Sequence, residues 1–556
     1  MKMTHQDDPI GKTSSTFRQP NTTYEFHFWI KPGVRLNPLD FVVAEQVDGS
    51  RTLGQIEEIF AYTDADSHLT NYIGSEFGDP NVATYSERVS TMVARAKVVR
   101  NIRTDDQEEI YMPVPTDHRA YFATSDDIQA SFEFNKKEGI PAGVIEQSNG
   151  LKLPVYLAPQ YILGPEGAHV NVTGISGLAT KTSYLMFLIG AIYQQVKDVS
   201  VLIFNVKHSD LLHIHETNAP PSERDQTIYE SFGLRSNPFE KVSYYLPLKQ
   251  DGKPDSDTPP DAHALYAYTF KNAHDRIDLL FADVDDSTHT MASFTHYCAD
   301  QDNWDAGKES VKFDYTYAGK NYEKAVRTWD DLLKLEEETI GLAVYNRKDH
   351  ATPPRLKREL YRLTRHPMFV DELPDGIVNL RDAVIEDIKQ TRNVCVVDIF
   401  NLESFTQAFV IGDLIREINE KYQDLSEKMP PHLIILIDEL NKFAPAKAID
   451  EAMDPVTDKI NFIASQGRSR GTALFAAEQF KSQVHRQAWS NCSLNVIGRT
   501  TNAELRTPAY GELDESAKNV VMNLKKGEML LCFGSWPSPV KVKFPRPPYI
   551  RSDDNA

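Results

Sequence analysis

Four cysteines in 556 residues are too few and too scattered to organise a fold. Cys298, Cys395, Cys492 and Cys532 show no C-x-x-C spacing, which supports neither a disulfide framework nor a zinc site and reads as reduced, mostly buried thiols. The chain also lacks an excess of positive charge, since 60 Lys and Arg against 80 Asp and Glu leave a net charge of −20. That balance excludes a surface coated in basic residues for nonspecific nucleic-acid binding, while leaving room for a basic lining inside a channel. No apolar run approaches the roughly 20 residues needed to cross a bilayer. The stretch from Met1 to Pro20 is polar, without the apolar core of a signal peptide. A soluble, cytoplasmic protein with no membrane segment is expected.

What is present is enough apolar material, 41% of residues, for several cores. The length suggests roughly three or four domain-sized units. Residues 1–20 read as disordered by composition. From Tyr24 the pattern alternates through Phe26, Phe28 and Ile30. Phe41 to Val43, Leu53 to Ile59, Val93 to Ile102 and Ile110 to Val114 follow, separated by Pro-Gly and Asp-Gly turns. Period-two runs with that punctuation predict a small antiparallel β-barrel or sandwich over 21–135, a module for assembly or docking. Residues 150–214 and 371–545 carry compact β-branched runs at the spacing of a parallel sheet with crossover helices. One of them, Val199 to Asn205, ends in the polar cluster Asn205 to Asp210. Residues 215–370 interrupt that rhythm with Pro/Asp/Ser-rich loops and helical patterns such as Tyr322 to Tyr345, and read as a mainly helical insertion. Within it Arg355, Lys357, Arg358, Arg362 and Arg365 form a basic run, either a solvated helix face or a phosphate-contacting surface. Residues 546–556 read as a C-terminal tail. The fold class expected is α/β, a mostly parallel sheet core with a helical insertion and an N-terminal barrel.

Three stretches carry candidate chemistry. Gly174, Ile175, Ser176, Gly177, Leu178, Ala179, Thr180, Lys181, Thr182 and Ser183 lie between a strand and the apolar run from Tyr184. A glycine turn opening a helix presents unpaired N–H groups to an anion, Lys181 adds charge and Thr182 offers a hydroxyl to Mg²⁺, which is the logic of a phosphate-binding loop. The spacing is one residue longer than G-x-x-x-x-G-K-[ST], and Ala179-Thr180 precede the lysine where a glycine is usual. The same pattern also serves as a plain structural turn feeding a buried helix. His432 to Glu439 is a buried strand ending in two acids: Asp438 can organise water around a metal and Glu439 can polarise an attacking water, unless they are simply acids at a loop entrance. Thr472 to Ala477 is a further strand, followed by Glu478 and Gln479, where a glutamine can report on a γ-phosphate. Just before it, Arg468 and Arg470 lie in Gly467 to Gly471, as fingers reaching across a subunit interface or as a surface turn.

Taken in order, Val172 to Gly177 with Lys181-Thr182, Ile437 to Pro445, Gly467 to Gly471, Gln479 and Val496 to Asn502 resemble the HerA branch of the HerA/FtsK ATPases. Lys526 to Gly534 is similar to that branch's closing strands, and the N-terminal strands to its HAS barrel. The family's DEAH-like run stands here as Asp438-Glu-Leu-Asn441, with both carboxylates kept and the histidine absent. The resemblance implies a RecA-like core that binds ATP and Mg²⁺ at subunit interfaces of a homo-hexameric ring, with duplex DNA in a central channel. It implies that Arg468 or Arg470, and less directly Arg499, acts in trans. It further implies a nuclease or Sir2-like effector as partner, in DNA processing or anti-phage defence. The rival expectation is a nucleotide-switched platform that assembles and activates such an effector without processive translocation.

Overall fold

Short alternating runs and tight turns curl the first part of the chain into a closed antiparallel barrel. In this computed structural model the residues described are 8–82, 89–103, 108–177, 180–207, 211–217, 220–281, 290–317, 320–337, 360–362, 365–424, 426–446 and 455–549. They divide into two units, 1–158 with 497–544, and 159–496 with 545–556.

In the first unit β1 (Gly11–Ser14), β2 (Glu25–Ile30), β3 (Phe41–Glu45), β4 (Arg51–Thr63), β5 (Ser90–Ile102) and β6 (Arg119–Phe122) close in the order β1-β2-β5-β4-β3-β6. Phe26, Phe28, Val42, Ile56 and Ala96 fill the interior. The expectation of disorder over residues 1–20 is corrected: β1 pairs with both β2 and β6 and closes the barrel. Composition misses it because its contribution is main-chain pairing at close range. A Cβ at Gly11 would stand 2.0 Å from the Trp29 carbonyl oxygen, so the approach requires glycine. Residues 1–7 lie outside the described residues. Ile110 to Val114, expected as a strand, has no strand pairing; only Val114 of that run is buried. After the barrel, β7 (Ile140–Glu146) and β8 (Lys152–Leu157) form a hairpin.

The second unit is built on short runs buried on both faces, the pattern that a parallel sheet covered by helices demands. Its strands are β9 (Val170–Thr173), β10 (Val199–Asn205), β11 (Val242–Pro247) and β12 (Ala264–Ala267). A separate antiparallel sheet of β13 (Trp304–Asp305), β14 (Ser310–Tyr317) and β15 (Lys320–Val326) intervenes. The main sheet resumes with β16 (Ile377–Asn379), β17 (Val394–Asp398), β18 (His432–Asp438), β19 (Thr472–Glu478) and β20 (Leu494–Ile497). The order is β16-β12-β11-β17-β10-β18-β19-β9-β20, and the registers from β16 to β9 are parallel throughout. This is the expected α/β class with a mostly parallel sheet. The helices of this unit include α1 (Lys181–Gln195), α2 (Ser404–Gln423) and α3 (Pro455–Arg470), of which α1 opens at the site. Residues from Tyr184 to Ile189 of α1 are all buried, which accounts for a helix apolar on every side. The chain then returns to the first unit, where β21 (Glu528–Phe533) and β22 (Val540–Lys543) form a hairpin and β22 pairs with β7.

The mainly helical reading of 215–370 is corrected in the same way. β11 and β12 extend the parallel sheet, and Tyr322 to Val326, expected as helix, lies in β15. Both sheet strands are short and sit between polar loops, so no long apolar run announces them. Arg355, Lys357 and Arg358 of the basic run lie outside the described residues, as does Tyr345. Arg362 lies over the Phe405 ring at 4.5 Å and Arg365 over Tyr361 at 4.1 Å. Of the expected tail, Tyr549 is buried and bridges to Thr217; residues from 550 onward lie outside the described residues.

Helix α2 is fastened to its surroundings by buried charge. Arg381 donates from Nε to Asp413 Oδ1 at 2.9 Å, and Asp413 is fully buried with Arg276 Nε 3.6 Å from the same oxygen. Removing one partner of such a pair strands the other charge in the interior. Arg381→Ala is therefore expected to cost about 3–5 kcal/mol and to lower the melting temperature. Arg381→Met combined with Asp413→Leu is expected to recover most of that loss. Melting curves that do not distinguish Arg381→Ala from the wild type would remove the network from any account of stability.

Candidate active site

The strand order decides which side chains meet. β9, β19 and β18 are adjacent, and β10 follows β18. Thr173 is level with Glu478, Asp438 with Ala477, and Phe204 with Ile437. Parallel strands in such register release their loops along one edge of the sheet, where open α/β folds place ligands. The turn after β9, Gln479 after β19, Glu439 after β18 and Lys207 after β10 therefore emerge side by side.

The turn after β9 has the conformation that its glycines allow. Gly174 and Gly177 have φ of 147° and 76°, and Thr180 adopts a left-handed φ of 48° immediately before α1. A Cβ at Gly177 would meet nothing within 4 Å, so the loop stands over open space. No side chain caps α1, and the buried Thr180 Oγ1 has no hydrogen-bond partner. The N–H groups of a helix's first turn have no acceptor within the helix, and such a helix start is suited to an anion. Leu178 and Ala179 lie outside the described residues. Lys181 begins the helix with its side chain folded back across the loop: Nζ donates to the Gly174 carbonyl at 2.7 Å and lies 3.4 Å from Ser176 Oγ. Burial lowers its pKa from the ordinary lysine value, and the nearby charge of Lys207 pushes the same way. Ser183 faces the interior.

Around this loop the acids are held at short range. Thr182 Oγ1 donates to Asp438 Oδ2 at 2.8 Å. Asp438 Oδ1 accepts from the Glu439 backbone N–H at 2.8 Å and from Lys207 Nζ at 2.9 Å. Lys207 Nζ also lies 2.8 Å from Glu439 Oε1. Burial opposes the charge of Lys207, but Asp438 and Glu439 outweigh it and raise its pKa. Glu439 itself sits at a left-handed φ of 54°, sparsely populated by residues with a side chain and common at functional positions. Gln479 Nε2 donates to Ser176 Oγ at 2.8 Å, joining the tip of β19 to the loop after β9. Beyond the acids the two following loops are laced together: Ala446 N–H donates to Gln483 O and His485 N–H to Ala444 O, each at 2.8 Å.

The structure thus brings together Gly174 to Gly177, Thr180 to Thr182, Asp438, Glu439 and Gln479. It does not bring in Arg468 and Arg470. Both lie in the last turn of α3, not in a surface turn, and α3 feeds the start of β19 rather than its tip. Seven strand residues, about 20 Å of chain, separate them from their own loop edge. Arg468 is exposed, whereas Arg470 stacks over Phe462 at 4.7 Å. Arg499 is exposed in the first unit. Sequence reasoning passed over Lys207, although its place in a polar cluster closing β10 was the available signal. It also passed over the pair Asn171–Glu478, joined at 2.8 Å beneath the loop. Among the described residues no group of three or more His, Cys, Asp or Glu is placed to hold a metal. The hard oxygens of Thr182 and Asp438 suit Mg²⁺, which commonly takes one or two carboxylates and completes its shell with water and phosphate oxygens.

No family model matches the chain, and no curated protein matches it. Among solved structures it is similar to VirB4 of Thermoanaerobacter pseudethanolicus, at 13% identity and a TM-score of 0.42 over 74% of this chain and 97% of that one. It is similar to the plasmid coupling protein TrwB in complex with ADP and Mg²⁺, at 12% identity and a TM-score of 0.42 over 69% and 87%. It is also similar to the genome packaging NTPase B204 from Sulfolobus turreted icosahedral virus 2, at 17% identity and a TM-score of 0.22 over 29% and 71%. At such values the likeness carries no functional weight.

Burial pushes the Glu478 carboxyl up to about 8, against the opposing pull of the Asn171 hydrogen bond and the charges of Lys481 and Lys181. A folded-state value above the unfolded one means that the native chain binds the extra proton. The stability this supplies is present in full below the unfolded glutamate value and is lost as pH rises towards about 8. Each pH unit inside that window costs about 1.4 kcal/mol. Glu478→Gln keeps the acceptor for Asn171 and removes the titration, so its thermal stability is expected to change less between pH 6 and pH 8 than that of the wild type, in steps of about one unit. Parallel profiles for the two proteins would show that Glu478 is ionised throughout.

Proposed function

We propose that the chain is a Mg²⁺-dependent ATPase and that the row of strand tips from β9 to β18 is its hydrolytic site. One observation carries this reading: the Thr182 hydroxyl rests on Asp438, with Glu439 next in sequence and Gln479 tied to the loop that Lys181 spans. Lys181 and the N–H groups opening α1 bind the β- and γ-phosphates. Thr182 and Asp438 hold the metal, which when bound neutralises charge on the phosphate oxygens. Glu439 accepts a proton from the attacking water, and Gln479 orients that water or reports on the γ-phosphate.

The wider reading is a homo-hexameric ring that moves duplex DNA through its channel together with a nuclease or Sir2-like effector, in DNA processing or anti-phage defence. Its support is the ordered set of motifs resembling the HerA branch. The placement of Arg468 and Arg470 at the far end of α3 also supports it, because arginines remote from their own site are available to a neighbouring subunit. A net charge of −20 suits a ring that grips DNA inside a channel rather than over its surface. The second reading, a nucleotide-switched platform, is favoured by the internal pairing of Lys207 with both acids, which gives the site a self-satisfied resting arrangement.

Glu439→Gln is expected to lower ATP turnover by about 10²–10⁴-fold while nucleotide binding persists. Lys181→Ala is expected to lose binding as well. Unchanged turnover in Glu439→Gln would remove the catalytic assignment. Strong stimulation of the wild type by duplex DNA distinguishes the motor from the platform, for which stimulation comes only from a protein partner. Mass measurement with ATP and Mg²⁺ is expected to give six subunits; a monomer would leave Arg468 and Arg470 without a target.

A further inference from the structure

Lys207 has no place in the hydrolytic scheme above, yet its one ammonium contacts both of the acids that the scheme uses. Its Nζ lies 2.9 Å from Asp438 Oδ1 and 2.8 Å from Glu439 Oε1. Thr182 takes the other oxygen of Asp438. The lysine therefore shares Asp438 Oδ1 with the Glu439 N–H, the carboxylate oxygen that Thr182 leaves for a metal, and with the same ammonium it covers the proposed general base.

The two ends of this side chain have different freedom. Its backbone follows Asn205, a fully buried residue whose amide is pinned to Asp398 at 2.9 Å. Its side chain is 29% exposed, so the ammonium has a route to water without any movement of β10. A divalent ion brings twice the charge of an ammonium to Asp438, and the two cations repel at contact distance. A carboxylate held by an ammonium is not free to accept a proton from water.

We propose that Lys207 is a resident counter-cation that occupies the metal's position at Asp438 and masks Glu439 until a metal-bound nucleotide displaces it. It is a positioning residue that restrains the site at rest. The proposal rests on the ATPase reading and adds to it a competition between lysine and metal. The consequence is a site whose Mg²⁺ requirement is set partly by a side chain that does not bind the metal.

The experiment titrates Mg²⁺ into the full-length protein with a fluorescent ADP analogue and reads the half-saturating metal concentration from the binding signal. For Lys207→Met that concentration is expected to fall by about fivefold, the worth of one modest ion pair. Lys207→Arg, which keeps the charge, is expected to restore the wild-type value. Lys207→Gln serves as a second neutral variant should the methionine protein fail to fold. A neutral variant that folds and binds the analogue with an unchanged or higher metal requirement overturns the proposal. A wild type that binds no nucleotide at any metal concentration sinks the ATPase reading and this proposal with it, and that failure is recognised before any variant is made.

Discussion

Thr182 and Asp438 stand 256 positions apart, and the 2.8 Å hydrogen bond between them is the contact on which the site depends. It forms only if the helix after β9 and the strand β18 present their ends at the same height across the intervening β19. The parallel registers impose that height residue by residue, from Thr173 against Glu478 to Asp438 against Ala477. A slip by one residue would turn each side chain to the opposite face of the sheet. The uninterrupted burial of β18 and β19 therefore serves position as much as stability, because packing on both faces fixes the register that aligns the tips.

The elements most legible in the sequence were those with a single physical signature. A run such as Leu433 to Ile437, apolar on both faces, has few destinations other than the middle of a covered sheet. The start of α1 at Lys181 was equally readable, since glycines followed by a long apolar run set both the turn and the helix. β1 was not readable, because a short polar strand is held by main-chain pairing that composition does not record. β11 and β12 escaped for a related reason: a few aromatic and aliphatic residues between Pro/Asp loops acquire strand identity only from neighbours distant in sequence.

The same distinction applies within the site. Lys181, Asp438, Glu439 and Gln479 each follow a recognisable strand or turn, so their residue types pointed to their places. Lys207 also follows a strand, but its place in a polar cluster does not single it out until its partners are known, and those partners come from β18. Arg468 and Arg470 show the converse. Their spacing drew attention, but helix α3 carries them to the opposite end of β19 from the loops.

Past Glu439 and past Gln479 the chain runs through two loops stitched to each other by amide-to-carbonyl bonds, Ala446 to Gln483 and His485 to Ala444. Because these stitches use only the peptide backbone, they are indifferent to which side chains the loops carry. The chain leaving one strand end is thereby tied to the chain leaving the other. Substitution in these loops therefore leaves the tie in place, and of the natural residues only proline at a donor position would remove one of its bonds.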